Sequence, residues 1–445
     1  MTTYSFIHEP TQKCDETTLL NTYFSSVNFI LCTIKQKIVK DIYTRKNYFL
    51  TVLLEKKRTA IVNERIYPYY QGGAEKVIYD YARILAQIYD VTVFTSYGKG
   101  MAKEIIGNVK FTYVSNKIKE NNKDGNHSII GIISFSIGVI LHRKKIQNFD
   151  LVILDSIHYF YPLLFLKFIR KRNGKVVTIF HEAWYEYRKS AAVSPILSYL
   201  MGIFIKRLIR SSDSIISISE PTTKSLINNY NANKDNVITI PLGIDYMSIV
   251  NKHLSKNILN RRYDLIFVGR FAAIKRVSDI VNAVSLLAKK GKPLEVVLIG
   301  DGPIKSLIEK EIENLGLRDS FHVVGFLNED QKYKMLADSK IFVMPSEREG
   351  FSLATLEAMA MGCAPIVSKP NFMEVFGVSD FVKDQFNGIY YNLGNISELA
   401  NAIISLLNSP NRLTAISYQA KETAKLYSKE IMEERLLKVV GTLLA

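Results

Sequence analysis

Cysteine is scarce in this 445-residue chain, which has only Cys14, Cys32 and Cys363. Three thiols so far apart exclude a disulfide framework and a cysteine-based zinc site, and they point to a reducing compartment. Long apolar runs are missing too. LLNTYFSSVNFILCTI (19–34) and SIIGIISFSIGVIL (128–141) both fall short of the roughly 20 residues a bilayer-spanning helix needs,. No basic segment followed by an apolar one opens the chain, so no cleavable signal peptide is expected. Clusters of Asp or His at metal-ligand spacing are also lacking, and no metal is expected.

Acidic residues are short in one half only. Residues 1–212 hold 31 Lys+Arg against 16 Asp+Glu, a balance of +15; residues 213–445 hold 27 against 26, a balance of +1. A basic first half suits a polyanionic partner such as an acidic membrane surface, although solvated lysines alone give the same balance. Nucleic acid is not expected, because no aromatic-basic recognition motif accompanies the charge. SPILSYLMGIFIKRLIR (194–210) joins an apolar run to Lys206, Arg207 and Arg210. That suits a helix lying at an interface, and equally a core helix with a basic end.

What the chain has in quantity is alternation. TAIVNE (59–64), DVTVFTS (90–96), VKFTYV (109–114), DLVILDS (150–156), KVVTIFH (175–181) and SIISIS (214–219) are short β-branched runs separated by helical patterns. YDLIFVG (263–269), LEVVLIG (294–300), FHVVGF (321–326), KIFVMPS (340–346) and CAPIVS (363–368) repeat the arrangement. Alternating strands and helices predict α/β domains with doubly wound parallel sheets, here two Rossmann-like domains. We place them at 59–246 and 247–428, with the junction at IPLGIDYMS (240–248), where Pro241 and Gly243 punctuate the chain. Residues 1–58 form an extension without a chemical motif. KEIMEERLLKVVGTLLA (429–445) is an amphipathic helix free to pack on either domain, including back on the first.

Ligands of open α/β sheets sit at the carboxyl ends of the strands, so those loops carry the chemistry. Gly72 and Gly73 open a helix after the first strand, where backbone amides can approach an anion or a sugar, or where Gly serves the turn alone,. GRFAAIK follows YDLIFVG and supplies Arg270 and Lys275, a forked donor and a point charge suited to a diphosphate,. GDGP (300–303) is a tight turn but not a dinucleotide fingerprint, since Lys305 stands where a third glycine would be,. EREGFSLATLEAMAMG (347–362) sets Glu349 in a loop, Ser352 as a helix cap, Glu357 about one turn inside the helix and Gly362 at its end,. The helix start carries a partial positive charge of about half a unit, which favours phosphate. Glu357 is placed to accept hydrogen bonds from vicinal hydroxyls.

In their order and spacing these motifs resemble those of the retaining glycosyltransferases of family 4, which have the GT-B fold. The Glu pair, GRFAAIK, GGAEK, IPLGID and GDGP carry the resemblance over roughly residues 59–425,. It implies transfer of a sugar from a nucleotide diphosphate donor, with no cofactor beyond that co-substrate, across a cleft between two Rossmann-like domains. Arg270 and Lys275 would bind the diphosphate, and Glu357 the ribose. Glu349 would contact the transferred sugar, and the amides of Phe351 and Ser352 would seat sugar and phosphate. His181, in TIFHEAWYE, matches a histidine near the reacting centre. The acceptor would lie on the first domain, on a lipid or a growing glycan. The basic balance of that half and the apolar segments 128–141 and 194–210 fit an anionic membrane surface, so attachment at the cytoplasmic face of a membrane is expected,. An epimerase or phosphorylase of the same fold, or a non-catalytic sugar-nucleotide-binding protein, remains the alternative. KPNFMEVFGVSDFVKDQFNG (369–388) replaces a short Gly-rich turn of the family, so Glu374 receives no role.

Overall fold

Apolar β-branched runs such as LVILD and VVLI, buried along their whole length, are what a parallel sheet covered by helices on both faces requires,. In the computed structural model they assemble into two sheets. The structure describes residues 56–67, 72–96, 105–115, 129–156, 174–183, 195–253, 256–369 and 376–445. Cys14, Cys32, the apolar run 19–34, nearly all of the extension 1–58 and Glu374 lie outside them.

The first sheet contains β1 (Arg58–Val62), β2 (Asp90–Ser96), β3 (Ile105–Ile106), β4 (Val109–Ser115), β5 (Leu151–Asp155), β6 (Lys175–Phe180), β7 (Ser214–Ser217) and β8 (Val237–Thr239). Their order is β3-β4-β2-β1-β5-β6-β7-β8, parallel throughout except for the two-residue β3. The second contains β9 (Tyr263–Val268), β10 (Val296–Ile299), β11 (Phe321–Val324), β12 (Ser339–Met344), β13 (Ala364–Lys369) and β14 (Ile389–Asn392), ordered β11-β10-β9-β12-β13-β14 and fully parallel. Two parallel α/β sheets are the architecture the resemblance implies. In each, the strand order reverses at an early strand, β1 in the first and β9 in the second. Such a switch point opens a crevice at the carboxyl ends.

Helices cover both faces of the first sheet. Gly73–Leu85 buries Val77, Ile78, Tyr81 and Ala82 against one face. Ile129–Leu141 and Pro195–Ser211 lie on the other, through Phe135 and Val139 and through Ile205, Leu208 and Ile209. The chain then crosses back from the second sheet to the first. Lys429 donates its backbone N–H to the Ile244 carbonyl at 2.8 Å. The last helix, Lys429–Leu444, packs on Gly73–Leu85, with Lys429 Nζ 2.6 Å from Asp80 Oδ1. Among the described residues no helix is long and apolar enough to cross a membrane.

Candidate active site

The carboxyl ends of the two sheets face each other across a cleft of about 630 Å3. Its lining includes Gly72, Gly73, Glu75, His181 and Glu182 from the first sheet, and Arg270, Lys275, Ser346, Glu349, Phe351 and Ser352 from the second. Eight of the nine residues singled out in the sequence therefore meet in one place. Gly350 makes the approach of the two walls possible: a Cβ there would stand 2.3 Å from the His181 carbonyl oxygen. Arg348 Nη1 and Glu182 Oε2, 3.5 Å apart, join the walls at the same level.

The second-sheet wall is built from the loops after β9 and β12. Arg270 is exposed just beyond β9. Lys275 ends a short 3-10 turn, and its Nζ lies 2.5 Å from Glu349 Oε1, which also accepts the Ser346 hydroxyl at 2.9 Å. Ser352 caps the helix Leu353–Ala360 by accepting the Thr355 N–H on its hydroxyl. It does so at φ 74°, a left-handed conformation that non-glycine residues adopt at a cost and that gathers at functional sites,. Gly362, at φ 72°, closes the helix as the sequence predicts,.

The first-sheet wall sets carboxylates around a histidine, with Arg65 also in its lining. His181 follows β6, and Asp155 ends the neighbouring β5, with Nε2 3.2 Å from Oδ1. Asp155 is fully buried. Burial alone would lower the His181 pKa, but the carboxylates of Asp155, Glu75 and Glu182 outweigh it and raise the value,. The imidazolium is therefore favoured. Burial pushes the Glu75 carboxyl up as well.

Two placements differ from the sequence expectation. Glu357 does not line this cleft. It points into an adjoining pocket of about 300 Å3, where its carboxylate accepts Lys332 Nζ at 2.6 Å and the Tyr333 hydroxyl at 2.9 Å. The helix start at Gly72–Gly73 is also not bare backbone. The Glu75 carboxylate folds over it, so that a Cβ on Gly72 would lie 2.0 Å from Oε2. At Gly72 the glycine provides room for that carboxylate, and φ is an ordinary −129°.

Sequence reasoning passed over Asp155 and Glu75. His181 came from the resemblance carried by TIFHEAWYE; the rule that ligands sit at strand ends would have pointed to Asp155, the last residue of LVILD,. Glu75 stood in view in GGAEK at the third helical position, from which a Glu can reach back over the helix start,. Among the described residues no three His, Cys, Asp or Glu side chains gather as a metal site.

Residues 71–247 match the family model described as Glycosyltransferase Family 4, and residues 251–423 the one described as Glycosyl transferases group 1. The chain is 32% identical over 152 residues to an alpha-D-kanosaminyltransferase from Streptomyces kanamyceticus, a match covering 34% of this chain and 38% of that protein. It is 22% identical over 387 residues to an N-acetylgalactosamine-N,N'-diacetylbacillosaminyl-diphospho-undecaprenol 4-alpha-N-acetylgalactosaminyltransferase from Campylobacter jejuni, covering 84% of this chain and 98% of that one. Two further curated relatives are matched over 44% and 26% of their length, so the aligned stretch spans less than half of these and of the Streptomyces enzyme. Among solved structures, Anabaena HepE in complex with UDP-glucose superposes with a TM-score of 0.66 at 15% identity, covering 86% of this chain and 99% of that one. That likeness is one of fold.

Proposed function

Because the chain belongs to the family 4 glycosyltransferases, its two halves matched by the two family models, we propose that it transfers a sugar from a nucleotide diphosphate donor to an acceptor hydroxyl with the anomeric configuration retained. The observation that carries this reading is the meeting of Arg270, Lys275, Glu349, Phe351 and Ser352 with His181 across one cleft.

In this reading Arg270 and Lys275 hold the diphosphate and offset the charge that grows on it as the glycosidic bond breaks. The arriving phosphates compete with Glu349 for the Lys275 ammonium, now 2.5 Å away. Glu349 then exchanges its cation for the hydroxyls of the sugar. The amides of the helix start at Phe351 and Ser352 add donors at the phosphate end. The acceptor hydroxyl approaches on the face from which the diphosphate departs, and a diphosphate oxygen takes its proton. His181, held by Asp155 and biased to the charged form, donates to a sugar hydroxyl beside the reacting carbon. The UDP-glucose complexed with Anabaena HepE and the diphospho-undecaprenol for which the Campylobacter enzyme is named support a nucleotide sugar as donor and a lipid-linked or glycan acceptor. Glu357 retains a ribose role only by sharing its carboxylate with Lys332 and Tyr333.

The test is incubation of the purified protein with a panel of nucleotide sugars and a lipid extract from its source. Products are read by mass spectrometry, and the anomeric configuration by NMR. One donor should yield a product whose new linkage keeps the donor's configuration. An inverted linkage, or interconversion of free nucleotide sugar without an acceptor, would overturn the reading.

A further inference from the structure

A helix on the outside of an α/β domain ordinarily turns polar residues to water. Two helices on one face of the first sheet turn large apolar residues outward as well. Along Ile129–Leu141 the outward positions are Ile130, Ile133, Ile137 and Leu141, exposed by 81%, 54%, 53% and 72%. At 100° per residue these fall within about 80° of one another, a single stripe. Exposed Lys144 and Lys145 follow directly. Along Pro195–Ser211 the outward positions are Tyr199 and Ile203, then Arg207 and Arg210, again on one line at i, i+4, i+8 and i+11.

The two faces thus repeat one pattern, apolar at the start and basic at the end, and neither stretch, 129–148 nor 195–212, contains an Asp or Glu. Both helices pack on the same core layer beneath the sheet. Both lead into the next strand of a parallel sheet, so they run in the same direction, with their starts at the cleft edge. Apolar halves accordingly lie on one side of the layer and basic ends on the other.

We propose that this face docks on an anionic lipid bilayer, the isoleucine stripe entering the boundary between headgroups and acyl chains and the basic ends binding lipid phosphates. Charge selects the occupant. Six cations and no anion on the two segments complement an acidic surface and oppose self-association through the same face, which would bring like charges together,. Docked in this way, the domain tips its cleft edge toward the membrane, where a lipid-borne acceptor would enter. The proposal rests on the transferase reading only for that last step; the docking itself stands on other residues.

Flotation of the full-length protein with vesicles tests it. Vesicles of phosphatidylcholine with phosphatidylglycerol should carry the protein at least tenfold better than phosphatidylcholine alone, and salt should weaken the binding. Arg207→Glu with Arg210→Glu should lower binding by about fivefold or more per charge reversed. Ile133→Asp with Ile137→Asp should lower it at least tenfold even at low salt. These positions are exposed, so nucleoside diphosphate binding and the melting temperature should stay at wild-type values in both variants. Equal flotation with neutral vesicles, or variants that still float, would overturn the proposal. So would a dimer that the isoleucine substitutions dissolve, since the face would then be an interface between copies. Loss of donor binding in wild type with flotation intact would count against the transferase reading and leave the docking standing.

Discussion

The two walls of the cleft differ in charge, and neither follows the balance of its own half of the chain. The second half is nearly neutral at +1, yet it places Arg270 and Lys275 at the cleft. The first half carries +15, yet its wall gathers Glu75, Asp155 and Glu182 around His181. Part of the basic excess of the first half sits instead on its outer helices, at Lys144, Lys145, Arg207 and Arg210. Net charge describes what a whole surface attracts. The chemistry of a site is set by the few groups that burial and strand ends bring together.

The sharpest contrast is between Glu357, in the adjoining pocket, and Arg270, in the cleft. Glu357→Ala leaves a mostly buried ammonium and a buried hydroxyl without their carboxylate, and should cost on the order of 3 kcal/mol of stability,. Thermal unfolding checks this. An unchanged melting temperature would mean that Glu357 serves the ligand and not the fold. Arg270 is exposed, so Arg270→Ala should leave unfolding unaltered while slowing transfer on the order of a hundredfold,. A loss of only a few-fold would shift the diphosphate assignment to Lys275 and the helix start.

The first-sheet wall predicts a smaller effect, expressed in pH. His181 has a raised pKa in the folded chain, so the stability it contributes is fully present below its unfolded value of about 6.5 and is lost as pH rises through the raised value,. Asp155→Asn removes a principal cause of the rise. The loss should then be smaller and complete at lower pH, and any activity limb that follows the imidazolium should move the same way. A pH profile identical to wild type would show that Glu75 and Glu182 suffice to hold the charge.

Much of this arrangement was legible in the sequence because parallel strands are short, apolar and buried on both sides. DVTVFTS coincides with β2, and YDLIFVG runs one residue past β9 because Gly269 already belongs to the loop. The edge strands β8 and β14 escaped notice. VIT and IYYN are too short to display a period, and pairing on one side only is what makes them strands. The residues meeting in the cleft were foreseeable as strand-end residues. Their partners were not: Lys332 lies 25 residues from Glu357 and Lys275 lies 74 from Glu349, separations that no local pattern encodes. Of the two readings of SPILSYLMGIFIKRLIR, the structure shows the core helix with a basic end, Ile205, Leu208 and Ile209 lying in the core and Tyr199, Ile203, Arg207 and Arg210 outside.

On the reading proposed above, Arg270 and Lys275 hold a nucleoside diphosphate at the mouth of this cleft. Calorimetric titration of UDP and GDP into the wild-type protein, Arg270→Ala and Lys275→Ala tests this. At least one nucleotide should bind, more weakly as salt rises and at least tenfold more weakly in each variant. Equal affinity in all three proteins would contradict it.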